Sequence, residues 1–288
     1  MAMGIGVNAW IFTSPFTTQD GPEGLGLLDK AKQMGFDSFE FGLEDPSHVD
    51  PAKLKSKLQQ TGMRVVICGA FGPDRDLTHD DQSVRDNSLN YITQALALCQ
   101  KSGCPTLAGP MYSAVGKRRH VPADQKKREW DLAVKGVKEA GRRAKDAGVL
   151  IAVEPLNRFE TDLVNTSEQC ERLVNDIGAD NVGFHLDSFH MNIEEKNSGD
   201  AIRRAGKRLY HFPACENDRG APGSGVNIDW ENVAKALKDV GYSREAVIES
   251  FTPKTKSIAA AAAIWRQLAP TQDALAQDGL AFLRKTLK

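Results

Sequence analysis

The chain reads as a closed (β/α)8 barrel, and three features of its 288 residues predict that fold. Short apolar or β-branched runs recur, and each is followed by a longer stretch with apolar residues at three- and four-residue intervals. The longer stretches close on glycine, and several of the short runs end on an acid. Strand, helix, glycine, strand is the punctuation of βαβ units, whose crossovers force parallel pairing. The length agrees, being long for one sandwich or bundle and typical of eight such units closed on themselves.

In chain order the eight runs are Gly4–Trp10, Asp37–Gly42, Arg64–Phe71, Pro105–Gly109, Val149–Pro155, Val182–Ser188, Arg208–Ala214 and Glu245–Phe251. Between them lie GLGLLDKAKQMG, HVDPAKLKSKLQQTG, DNSLNYITQALALCQKSG, EWDLAVKGVKEAGRRAKDAG, TSEQCERLVNDIG and DWENVAKALKDVG, each with helical periodicity and a closing glycine. Thr166-Ser167-Glu168 and Asp229-Trp230-Glu231 supply cap residues at two helix starts. Val149 to Val153 is too uniformly apolar for a strand with one wet face, so it predicts a strand covered on both sides. It ends in Glu154 and then Pro155, which cannot continue a ladder. An open doubly wound sheet would carry a glycine-rich phosphate loop after its first strand, and neither GxGxxG nor GxxxxGK[ST] is there. Ala259–Ala263 is ordinary helical composition, and no repeat, low-complexity tract or linker divides the chain. Residues 1–288 are therefore expected to form a single barrel domain.

Hydrophobic residues make up 41% and charged residues 26%, as in ordinary globular chains. A net charge of -1 offers no field for nucleic acid or anionic lipid, and neither partner is expected. No apolar run approaches the roughly 20 residues of a membrane span, and the first residues lack the basic start of a secretory leader. Five cysteines, odd in number and without paired spacing, read as reduced thiols in a cytoplasmic protein.

Three of the later strands stop on acids: Glu154, Asp187 in VGFHLD, and Glu249 in AVIES. The strand between the last two carries His211. In a barrel these ends converge on one mouth. Carboxylates clustered at low dielectric repel one another unless a cation sits among them, and a divalent metal is the simplest resolution. Oxygen-rich ligation suits Mn2+ or Mg2+, and an added imidazole shifts the balance toward Mn2+ or Co2+. The alternative is that the acids pair with Arg158, Arg219 or a lysine, and that His211 is an interior histidine satisfied by neighbours. Glu160, His190 and Arg219 fall around the same mouth and suit a small hydroxylated ligand. The basic stretch from Ala114 to Lys127 reads as a solvated loop, the alternative being contact with a sugar phosphate or carboxylate.

The stretches SVRDN (83–87), GPMYSAVG (109–116), EPLNRFETD (154–162), HLDSFHMNIEE (185–195), ACENDRGAPGSG (214–225) and IESF (248–251) carry a family resemblance. So does the C-terminal AIWRQLAPTQDALAQDGLAFLR (263–284). With these, the chain resembles the sugar phosphate isomerase/epimerase family of xylose isomerase-like TIM barrels, and within it the ketose 3-epimerases that act on tagatose, allulose and ribulose. The resemblance implies a homodimer or homotetramer that holds Mn2+, Co2+ or Mg2+ between Glu154, Asp187, a histidine of the seventh strand and Glu249. It further implies that Glu154 and Glu249 flank C3 of a ketose, one removing its proton and the other returning one on the opposite face through a cis-enediolate. Glu160, His190 and Arg219 match positions that hold substrate oxygens, Cys68 matches one lining the pocket, and Phe12 falls near an aromatic over the sugar's far end.

One departure stands out. Where the family's seventh strand has His-x-His, this chain has LYHFPAC, so His211 matches the first histidine and Pro213 takes the place of the metal ligand. Side chains two residues apart share a face, so His211 is expected to point into the barrel one step deeper and Cys215 one step further out. The metal then has three carboxylates and water, or His211 reaches it, or the site has lost metal and activity. The expected function is metal-dependent C3 epimerisation of a ketose. Its rivals are aldose–ketose isomerisation, elimination from a keto-sugar glycoside, and a non-catalytic sugar-binding barrel.

Overall fold

In the computed structural model, which describes residues 3–287, eight parallel strands close in chain order into a barrel. They are β1 Gly4–Asn8, β2 Ser38–Leu43, β3 Arg64–Gly69, β4 Thr106–Gly109, β5 Leu150–Val153, β6 Val182–His185, β7 Leu209–Ala214 and β8 Glu245–Ile248. Register across the closure pairs Gly4 with Glu245 and Val7 with Ile248. Seven of the predicted runs contain one of these strands, and β2 extends one residue past the end of its run, to Leu43. Ile151, Ala152 and Val153 of β5 are fully buried, as a strand sandwiched between barrel interior and helix layer requires, while Leu150 at its start is partly buried.

The outer ring is built by α1 Gly26–Met34, α2 Pro51–Thr61, α3 Gln82–Ser102, α4 Ala123–Ala147, α5 Ser167–Ile177, α6 Ser188–Glu194, α7 Ser198–Ala205, α8 Trp230–Asp239, α9 Lys256–Ala261 and α10 Gln272–Leu287. Thr166 and Gln169 form a reciprocal capping box at the start of α5, and the Asp229 side chain accepts from the Asn232 N–H at the start of α8. Gly148 and Gly178 end α4 and α5 at φ 70° and 67°, the left-handed turn that sends the chain back into the sheet. No helix among the described residues is long and apolar enough to cross a membrane.

The barrel interior is not uniformly apolar. Asn8, Glu40, His185 and His211, from β1, β2, β6 and β7, are buried inside it. Asn8 Nδ2 donates to Glu40 Oε1 at 2.6 Å, and His211 Nε2 lies 2.5 Å from Glu40 Oε2. The His185 and His211 rings meet edge to face at 4.8 Å. This polar floor supports the chemistry above it.

Candidate active site

Glu154 and Glu249 follow β5 and β8 directly, Asp187 follows β6 after Leu186, and all three are buried. Backbone bonds fix two of them: the Glu154 N–H donates to Gly109 O, and the Glu249 N–H to Ala214 O. Asp187 is also the N-cap of α6, its Oδ1 accepting from the Phe189 N–H at 2.8 Å. Among the described residues two groups of donor atoms converge to within 4.8 Å: Glu154, His185 and Glu249, and Glu154, Asp187 and His190.

The two histidines of these groups differ. His190 Nδ1 accepts from the Asn157 backbone N–H at 3.1 Å, so in the neutral ring the proton sits on Nε2, which faces Glu154 and Asp187 at 3.6 and 3.8 Å. A protonated Nε2 donates and cannot coordinate. Neither ring nitrogen of His185 is hydrogen-bonded, and its Nε2 lies 3.2 Å from Glu154 Oε1. Burial, helped by His211, pushes the His185 imidazolium down to about 3, so this ring is neutral with a lone pair available. Burial pushes the Glu154 carboxyl up to about 8 and raises Glu249 well above the usual carboxylate range. Burial works to raise Asp187 too, but the Arg219 guanidinium and His190 hold it below.

These are the marks of a place for a dication: buried acids that resist ionising alone, and an imidazole with no partner. Donor atoms that all lie within 4.8 Å of one another are near enough to share one ion. The donor set fits a divalent ion.

Above the acids lies a cavity of about 380 Å3. Glu154, Glu249, Glu160, His190, Arg219 and Cys68 line it, so most of the residues expected at the site are brought together. Asn157 Nδ2 holds Glu160 Oε1 at 2.8 Å. Burial, with Glu40, Glu154 and Glu249 nearby, raises the Cys68 thiol, which makes it a wall rather than a nucleophile.

Two expectations need correcting. His211 belongs to neither donor group; it is held one layer below, against Glu40, which raises the imidazole's pKa against the opposing effect of burial. Phe12 does not line the cavity; it packs under Lys30, whose Nζ is 4.4 Å from the ring centre. The aromatic walls are Trp10, Phe71 and Phe251. Sequence reasoning also passed over His185, although its position two residues before Asp187 on an inward-facing row was a usable signal.

Arg158 pairs with Glu194, away from the acids. Much of the basic loop is paired within its own surroundings: Lys117 pairs with Asp76, Arg119 with Glu129 and Asp162, and Lys126 with Asp162, while Arg118 donates to the Phe159 carbonyl. Arg219 is thus the one lysine or arginine among the residues lining the cavity, beside four acids, Glu44, Glu154, Glu160 and Glu249.

The closed barrel gathers acids and histidines at the C-terminal ends of its strands, and the chain belongs to the xylose isomerase-like TIM barrel family, whose model matches residues 28–286. Within that family its similarity is to ketose 3-epimerases. It is 36% identical over 260 residues to a probable ketose 3-epimerase of Synechocystis sp., covering 90% of each chain. It is 33% identical to the L-ribulose 3-epimerase of Mesorhizobium japonicum, over 89% of this chain and 86% of that one. It superposes with a TM-score of 0.91, at 25% identity and over 99% and 97% of the two chains, on the D-allulose 3-epimerase from Methylomonas sp. in complex with D-allulose.

Proposed function

We propose that this chain is a divalent-metal-dependent ketose 3-epimerase working as a single barrel domain, with Glu154 and Glu249 as its acid/base pair. The observation that carries the reading is that these two buried carboxylates, at the ends of β5 and β8, line one cavity and have donor atoms within 4.8 Å of each other and of His185. A proton next to a carbonyl in a neutral sugar is too weakly acidic for a carboxylate acting alone. The bound cation, for which Mn2+ suits the mixed oxygen and nitrogen donors, supplies the positive charge that offsets the enediolate.

The protein groups divide the remaining work. One glutamate removes the C3 proton and the other returns a proton on the opposite face, which inverts that carbon. His190 presents Nε2–H toward the acids, where a substrate oxygen is held, and Glu160 accepts from a sugar hydroxyl. Trp10, Phe71 and Phe251 cover the carbon face of the sugar and keep water out. The absence of a second cation among the lining residues favours a ketose without a phosphate. Five buried free thiols accord with a reducing cytoplasmic setting.

Incubation of the purified protein with Mn2+ and a panel of ketoses in D2O, read by NMR, tests the reading. Deuterium appearing at C3 of an inverted product supports it. Deuterium at C1 or C2 with an aldose product replaces it by isomerisation.

A further inference from the structure

The three acids are not equally in need of a metal. Both oxygens of Asp187 already have protein partners: Oδ1 accepts from the Phe189 N–H at 2.8 Å and faces the Cys215 thiol at 3.8 Å, and Oδ2 accepts from Arg219 Nη1 at 2.5 Å. Arg219 is built into this position. Its backbone sits at φ 66°, a left-handed conformation that a side chain of this size adopts only under constraint. Its N–H donates to Glu216 O, and its carbonyl accepts from the Phe251 N–H. The guanidinium lies between the rings of Phe189 and Phe251, at 4.2 and 4.9 Å from their centres, and reaches Glu249 Oε2 at 3.5 Å. On the inward-facing row of β7, His211 is followed by Pro213, which has no atom able to coordinate, and just past the strand Cys215 brings its thiol to Asp187 Oδ1. Asp187 and Glu249 do not occur together in either converging group, because the guanidinium stands between them.

We propose that in this chain Arg219 is the standing cation partner of Asp187, so that the divalent ion is held by Glu154, His185 and Glu249 with Asp187 outside its ligand set. The inference rests on the metal-dependent reading above and deepens it. Arg219 takes over the neutralising task on the side of the site that Pro213 leaves without a ligand. Glu154, His185 and Glu249 would hold the ion, more weakly than a set with a fourth ligand would. Metal and guanidinium compete for one carboxylate, and two cations that share a partner weaken each other reciprocally.

Equilibrium Mn2+ binding, followed by calorimetry and by the magnetic resonance signal of free Mn2+, tests this without turnover. The proteins are the wild type, Asp187→Asn, Arg219→Met, the two combined, and His185→Gln. The expected result is that Asp187→Asn keeps the wild-type affinity within about threefold, while Arg219→Met, which frees Asp187, binds about ten- to hundredfold more tightly. The gain vanishes in the combined variant, and His185→Gln loses the nitrogen modulation in the Mn2+ spin echo. Asparagine caps a helix as well as aspartate does, so Asp187→Asn is expected to fold. Should Arg219→Met not fold, Arg219→Lys serves instead, since a single ammonium cannot bridge Asp187 and Glu249, and it is expected to bind more tightly than wild type. Loss of Mn2+ binding in Asp187→Asn overturns the inference and leaves the metal-dependent epimerase standing. If no protein of the set, wild type included, takes up Mn2+, the metal reading falls and the inference falls with it.

Discussion

Replacing Glu249 by glutamine removes a charge and a proton site while keeping volume and backbone, since the residue's N–H stays bonded to Ala214 O at 3.1 Å. Asp187 keeps its contact with Arg219 Nη1, so the fold around the site should survive. What disappears is one member of the acid/base pair, and the loss expected for a positioned proton-transfer group is about 10²- to 10⁴-fold in kcat. At about 1.4 kcal/mol per tenfold, that is roughly 3 to 5 kcal/mol of barrier. KM should change little at saturating Mn2+, because the hydrogen-bonding residues His190 and Glu160 remain. The informative assay is proton exchange in D2O. With Glu154 intact, Glu249→Gln should wash deuterium into C3 of one epimer without converting it to the other. Glu154→Gln should do the same to the opposite epimer. A Glu249→Gln enzyme within about tenfold of wild-type kcat, or two variants that exchange the same epimer, would refute the two-sided arrangement.

Three further expectations follow from the same geometry. Stripping divalent ions with a chelator should lower the melting temperature by about 5 °C relative to protein in Mn2+ at 100 times its Kd, and readdition should restore it. His190→Gln should lower kcat/KM by about ten- to hundredfold, the value of a hydrogen bond to a charged group, while the Mn2+ bound per chain stays the same. If bound Mn2+ falls instead, His190 is a ligand and the tautomer argument is wrong. Asp76, buried beside Lys117 at 2.8 Å, is held below the usual carboxylate range although burial opposes this. Its contribution is therefore present above the unfolded value near 3.8 and is lost as pH falls through the lower folded value. Asp76→Asn should cost about 3 kcal/mol in denaturant unfolding at pH 7, and the gap to wild type should narrow as the pH falls below 3.8; a gap independent of pH would exclude the ion pair as its source.

The fold was legible because its signal is local. Period and punctuation along 288 residues mark eight strands, although the ends drift: Val149–Pro155 was expected and Leu150–Val153 pairs. Between β6 and β7 the pattern gave no helix, because Asn197-Ser198-Gly199 interrupts it, and the chain there makes two short helices, α6 and α7, with Asn197 capping the second. Glu154, Asp187 and Glu249 were legible as acids at strand ends. Phe12 was misplaced for a reason visible only in three dimensions. The Asn8 side chain accepts from the Trp10 N–H and turns Ala9–Ile11 into a helical turn. Strand alternation stops there, so that Trp10 meets the cavity and Phe12 does not.

The position of His211 depends on a partner 171 positions away along the chain, and no reading of β7 alone could supply it. Glu40 is completely buried, and its oxygens face Asn8 and His211. Were His211 to climb toward the metal, Glu40 would be left as an unpaired carboxylate inside the barrel, at a cost of about 3 to 5 kcal/mol. That is enough to hold the histidine on the floor of the site even with Pro213 above it. A missing ligand on β7 therefore cannot be made good from below. The remaining source of positive charge on that side lies beyond the strand, in the loop that carries Arg219, whose buried and conformationally constrained placement against Asp187 fills this role.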